Sequence, residues 1–171
     1  MMEYCDLYDR DGQPTGQVIV RGDAIPEGCY RMIAGVLCVH TDGSILLMKR
    51  HPSKRTHPGL FEASASGSVM AGETAQAAAV RELREETGIH CKQVQPLYQE
   101  AGDGRLYRGF LARVDCYKDS VRLQPGETVD YRWVNRSELM DLLQRKPSPV
   151  IIHPAILDFL GLQQKTNAAG L

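Results

Sequence analysis

The sequence predicts an α+β protein in which β-hairpins and extended runs surround a short, strongly acidic helix. Three observations carry that prediction. Runs rich in Val, Ile, Leu and Met come in pairs across Asp-Gly turns at 11–12 and 42–43. A helical pattern occupies residues 74–86, opened by Thr74 and stopped by Gly88. The strand-like runs do not alternate regularly with helices, which favours α+β packing over a doubly wound sheet.

Taken in order, residues 3–9 and 16–20 are strands joined through Arg10-Asp11-Gly12, an N-terminal β-hairpin. Residues 21–29 hold Gly22, Pro26 and Gly28 and form a connector. Residues 31–40 and 44–50 flank Thr41-Asp42-Gly43, whose Asp-Gly pair suits the positive backbone angles of a tight hairpin turn. Residues 51–59 carry two prolines and four basic or histidine side chains, the composition of an exposed loop. Residues 61–68 read as extended and rich in small side chains. After the helix, strands are expected at 91–100, 105–117 and 130–134. Short helices follow at 136–145, with Ser137 as cap, and at 153–162. A single domain spans 1–163, with 1–29 as hairpin and connector. Residues 164–171 have little to bury and are expected to fray.

The formal net charge of -1 provides no basic surface for a nucleic-acid polymer and no reason to expect a membrane-surface protein. The chain contains no run of about 18 apolar residues and no signal-peptide pattern, so a cytoplasmic location is expected. Cys5, Cys29, Cys38, Cys91 and Cys116 form no C-x-x-C pair and no zinc-like spacing. Reduced, packed thiols are the simpler reading, and a catalytic cysteine is disfavoured.

The acidic helix holds most of the chemistry. Glu82, Glu85 and Glu86 stand at i, i+3 and i+4, on one face of a 3.6-residue period. Three like charges there destabilise a helix unless something compensates them, and a hard divalent cation with oxygen ligands would. Ala75 and Ala78 fall on the same face and would leave room for a ligand. Val80, Leu83 and Thr87 fall on a separate arc that faces the core. Arg81 is placed to reach back to Glu73 across a loop that Gly67 and Gly72 allow to bend.

From Gly67 to Ile89 the chain resembles the Nudix box, G-x5-E-x7-R-E-U-x-E-E-x-G-U with U a bulky aliphatic, at every defined position. Pro58-Gly59-Leu60-Phe61 and Glu127…Tyr131-Arg132-Trp133-Val134 are similar to the rest of such a domain. The resemblance implies a Nudix-type α/β/α sandwich around a mixed β-sheet. It also implies a hydrolase that cleaves the diphosphate of a nucleoside diphosphate linked to another moiety, by attack of water on phosphorus. Glu82, Glu85 and Glu86, with the Gly67 carbonyl, would hold Mg2+ or Mn2+, and Glu73 with Arg81 would brace the loop. Glu127 is the candidate general base from outside the box, with Glu85 or Glu86 as alternatives.

Arg50, Lys54 and Arg31, on or beside the second hairpin, are candidate clamps for a small-molecule diphosphate. Tyr107, Tyr131 and Trp133 could stack on a base or sugar, although packing is the better reading of Trp133. The N-terminal hairpin is a candidate surface for a homodimer. Residues 8–17 also look like the isopentenyl-diphosphate-isomerase branch of the fold. Such an isomerase would need a cysteine in the strand after Pro-Gly, and Phe61-Glu-Ala-Ser-Ala-Ser-Gly67 has none. A non-catalytic nucleotide-binding module is the other alternative, disfavoured because its box is usually degraded.

Overall fold

The computed structural model describes residues 2–162, so the expected frayed tail at 164–171 lies outside the described residues. In chain order the strands are β1 (Tyr4–Tyr8), β2 (Pro14–Val20), β3 (Tyr30–His40), β4 (Ile45–Arg50), β5 (Phe61–Glu62) and β6 (Ala65–Ser68). After helix α1 (Ala75–Thr87) come β7 (Gln95–Gly102), β8 (Arg105–Val114) and β9 (Thr128–Val134). Helix α2 (Arg136–Gln144), β10 (Val150–Ile151) and α3 (Pro154–Phe159) complete the order.

The long apolar run of β3 becomes the hub of one mixed sheet. β8 pairs with it in parallel from Arg31↔Arg105 to His40↔Val114. β6 pairs antiparallel from Ile33↔Ser68 to Val36↔Ala65. β1 joins the start of β3 and carries β2 outside it, so the N-terminal hairpin extends the sheet. The β3–β4 turn places Gly43 at φ 87°, a backbone conformation open to glycine. β4 pairs with β9 and β5, and β5 with β10.

Alternation along β3 splits its side chains between two cores. Met32, Ala34, Val36 and Cys38 pack with Ala78, Ala79 and Leu83 of α1. Leu37 and Val39 pack on the other face with Leu139, Leu142 and Leu143 of α2 and with Ile156. The layers are therefore α1, sheet, and α2 with α3. Among the described residues no helix is long and apolar enough to cross a membrane.

Four local expectations are corrected. Asn135, not Ser137, caps α2: its side chain accepts from the Glu138 N–H while Glu138 accepts from the Asn135 N–H, a reciprocal box. The strand expected from residue 91 starts at Gln95, because Val94 is drawn into the core and its carbonyl accepts from Gln76. The strand expected to reach 117 ends at Val114, beyond which Lys118–Ser120 forms a 3-10 turn. The last helix covers only Pro154–Phe159, with His153 as its cap and Pro154 fixing its start.

Candidate active site

Helix α1 is held at both ends before any of its acidic side chains is considered. Thr74 Oγ1 accepts from the Ala77 N–H at 3.1 Å, and Gly88, at φ 71°, closes the other end by donating its N–H to the Arg84 carbonyl. Arg81 then fastens the loop that precedes the helix. Its Nε and Nη2 donate to the two carboxylate oxygens of Glu73, each at 2.9 Å, and Nη2 also donates to the Ser68 carbonyl at 3.0 Å. This fork geometry is available to arginine and not to lysine. Burial pushes the Glu73 carboxyl up, but Arg81 and the Met70 N–H outweigh it and hold it below its ordinary value. The same bond to Glu73 raises the Arg81 guanidinium further, against the effect of burial.

The three helix glutamates share a face but not an environment. Glu85 is 38% exposed at its side chain, Glu82 only 13%. Glu86 is 4% exposed, and its Oε1 accepts from the Ser66 N–H at 3.4 Å. Burial pushes the Glu86 carboxyl well above the usual carboxylate range, and neighbouring Glu62, Glu82 and Glu127 add to the shift. Burial raises Glu82 as well, opposed by Arg81. Ala78 does not open onto this face: it is fully buried in the core between α1 and the sheet, and only Ala75 remains at its margin.

Gly67 on β6 sits directly against the helix. A Cβ at that position would collide with the Glu82 carboxylate, so glycine is what allows the acidic face to approach the strand. On the other side of Ser66–Ser68 opens a cleft of about 1430 Å3. Its lining includes Glu62, Glu127, Arg31, Arg50, Lys54 and Tyr107, and among its described residues there is no cysteine.

Two of the expected phosphate clamps are already engaged. Arg50 Nη1 donates to Glu62 Oε1 at 2.6 Å, and its Nε donates to the Thr56 carbonyl at 3.1 Å. Lys54 pairs with Glu127. Arg31 lies at the start of β3, and its buried Nε has no hydrogen-bond partner. Trp133 packs against the α1-side core, edge-on to His40, and donates its Nε1–H to the Lys118 carbonyl at 3.0 Å. Tyr131 packs against that core too, leaving Tyr107 as the aromatic of the three that lines the cleft.

Sequence reasoning overlooked Glu62, a carboxylate between Phe61 and Ala63 whose pKa burial raises against the pull of Arg50. An acidic residue inside an otherwise apolar and small-residue strand was the available signal. Tyr98 and His153, stacked at 3.9 Å, and Arg105 also line the cleft, and no local pattern marks them.

Arg81 Nη1 stands between Glu82 Oε1 at 2.7 Å and Glu85 Oε2 at 3.2 Å, and among the described residues no three His, Cys, Asp or Glu side chains converge on one centre. The donor set nonetheless suits a hard divalent cation. It is all oxygen, and it crowds Glu62, Glu82, Glu86 and Glu127 at mutually repelling positions, with Glu82 pressed against Gly67.

A profile of the NUDIX domain matches residues 30–154. An uncharacterised Nudix hydrolase of Rhodococcus erythropolis is 38% identical over 87% of this chain and 86% of its own length. Another, from Listeria monocytogenes, is 31% identical over 81% and 83%. An isopentenyl-diphosphate Delta-isomerase of Photorhabdus laumondii is 30% identical over 86% and 85%. Among solved structures, a protein of Deinococcus radiodurans superposes with a TM-score of 0.67, covering 82% of this chain and 88% of that one at 21% identity, a likeness of fold. The profile match over most of the chain and the identity with these relatives show that the chain belongs to the Nudix hydrolase superfamily, whose Nudix-fold members include both hydrolases and isomerases.

Proposed function

We propose that this chain is a metal-dependent pyrophosphohydrolase, acting on a nucleoside diphosphate linked to another moiety. The observation that carries the reading is the intact acidic face of α1, pressed against Gly67 at the wall of a large cleft furnished with basic side chains. Glu82, Glu85, Glu86 and the Gly67 carbonyl would hold Mg2+ or Mn2+. A bound ion of this kind neutralises nonbridging phosphate oxygens and acidifies water.

The protein's own groups do the rest. Arg81 and Glu73 fix the loop so that the Gly67 carbonyl and the helix carboxylates keep their spacing. Lys54 and Arg50 bring positive charge to the cleft wall beside Glu127 and Glu62, where the diphosphate's charge would otherwise be repelled. Glu127, open to the cleft, is the proton acceptor for the attacking water, with Lys54 setting its direction.

The test is a substrate panel assayed for released phosphate or nucleoside monophosphate, with Mg2+ and with Mn2+. Glu85→Gln and Glu86→Gln should each reduce kcat by about 100-fold or more. Wild-type turnover in both variants would sink the assignment.

Similarity to named isomerases gives a second reading. Against it, no cysteine stands among the described residues that line the cleft. Interconversion of isopentenyl and dimethylallyl diphosphate by the purified protein, with nucleotide diphosphates left intact, would favour the isomerase.

A further inference from the structure

Arg31 and Arg105 are far apart in sequence, yet they are register partners on adjacent parallel strands. Adjacent strands lie about 4.8 Å apart, and side chains at one level of a parallel pair share a face. Both residues line the cleft, in step with Ile33 and Gly35 on β3 and Tyr107 on β8. Two like charges so placed repel each other unless an anion lies between or beside them. Among the described residues neither guanidinium forms an ion pair, and the Arg31 Nε is buried without a hydrogen bond. Arg21, at the same end of the cleft, already holds Glu3 at 2.5 Å. Among the described residues the guanidinium pair thus has no carboxylate partner, and the neutral Cys5 thiol is the side chain hydrogen-bonded to Arg31.

Its position relative to the proposed chemistry follows from the sheet register. Gly67 pairs with Ala34, and Arg31 lies three residues further along β3. At ~3.3 Å per residue that is about 10 Å along the strand, with Arg31 on the cleft face of the sheet and Ala34 on the face that packs against α1. The floor between is the Tyr98 ring, which lies over Gly109 on β8 and brings its hydroxyl toward Gly35, two positions whose missing side chains make room for it. A substrate moiety can lie across this floor from the wall at Ser66–Ser68 to the guanidinium pair.

We infer that Arg31 and Arg105 form a second anion subsite, which selects substrates carrying another phosphoryl group beyond the diphosphate that is cleaved. This deepens the hydrolase reading and rests on it for the direction in which the substrate lies. The phosphoryl group has two sources, a sugar-borne phosphate or a longer polyphosphate chain, and both present the oxygens that paired guanidinium forks bind.

Matched pairs of probes test it. Coenzyme A with dephospho-coenzyme A, and NADP with NAD, differ by a sugar-borne phosphate, whereas GTP and GDP differ by a chain phosphate. Binding is measured by calorimetry in EDTA, where no turnover is expected, and kcat/KM in Mg2+. One class of pair should show about a 10-fold preference for the more phosphorylated member in both measurements. Arg105→Gln and Arg31→Gln should bring that ratio toward one, and Arg31→Lys should restore part of it. A purely structural role would lower both members of a pair together and leave the ratio unchanged. Equal affinity and equal kcat/KM within every pair for the wild-type protein would overturn the subsite, whatever the variants do. Discrimination in binding with no hydrolysis of any probe would instead overturn the hydrolase reading and leave the subsite standing.

Discussion

Glu86 shows how burial turns a surface-like motif into a chemically tense one. Its carboxyl is 4% exposed, and burial together with Glu62, Glu82 and Glu127 raises its pKa. The folded, metal-free protein thus holds a proton on Glu86 at pH values where the unfolded chain has released it. With more protons bound in the native state, stability falls as pH rises. The full contribution is present below the ordinary glutamate value and is lost as pH climbs through the raised one. In EDTA the urea midpoint should decline from pH 5 toward pH 8, and Glu86→Gln should flatten that decline while stabilising the protein at pH 8. An equal slope in both proteins would contradict the burial account. Arg81 is the opposite case, a charge whose partners surround it. Arg81→Ala should cost roughly 1–3 kcal/mol in denaturant unfolding, less than a fully buried pair because its side chain is 24% exposed.

At the level of elements, helix ends decide where the two helical layers begin. Ser137 is an exposed residue inside α2, and the reciprocal bonds belong to Asn135 and Glu138. Asn135→Ala should therefore destabilise the protein by about 1 kcal/mol, whereas Ser137→Ala should stay within about 0.5 kcal/mol. Thermal melts of the two variants would show a clear difference if the cap is assigned correctly. β6 illustrates another constraint of this kind. Gly67→Ala would force the Glu82 carboxylate away from the strand, so it should lower turnover without removing any acidic group. An active Gly67→Ala variant would mean that the close approach of Glu82 has no role.

For the molecule as a whole, the proposed metal site joins α1 to β6 and so couples ion binding to the fold. A ligand that binds only the folded state at 100 times its Kd adds about 2.7 kcal/mol, which for a chain of this size moves Tm by roughly 5–10 °C. Saturating Mg2+ or Mn2+ should produce such a rise, and EDTA should reverse it. No shift with either ion in the wild-type protein would count against the donor set.

What the sequence determined by itself is local. Helical spacing put Glu82, Glu85 and Glu86 on one face and brought Arg81 within reach of Glu73. Asp-Gly turns defined both hairpins, because these contacts are only a few residues long and their geometry repeats along the chain. The resemblance to the Nudix box is a pattern of the same local kind. The tertiary structure alone decided which of those glutamates is buried and that Ala78 belongs to the core. Sheet pairing decided that Glu62 joins the acidic group and that Arg50 and Lys54 are held by carboxylates. It also set Arg31 beside Arg105. Strand neighbours are chosen by the packing of two cores against a single sheet, and nothing in the periodicity of either strand names its partner.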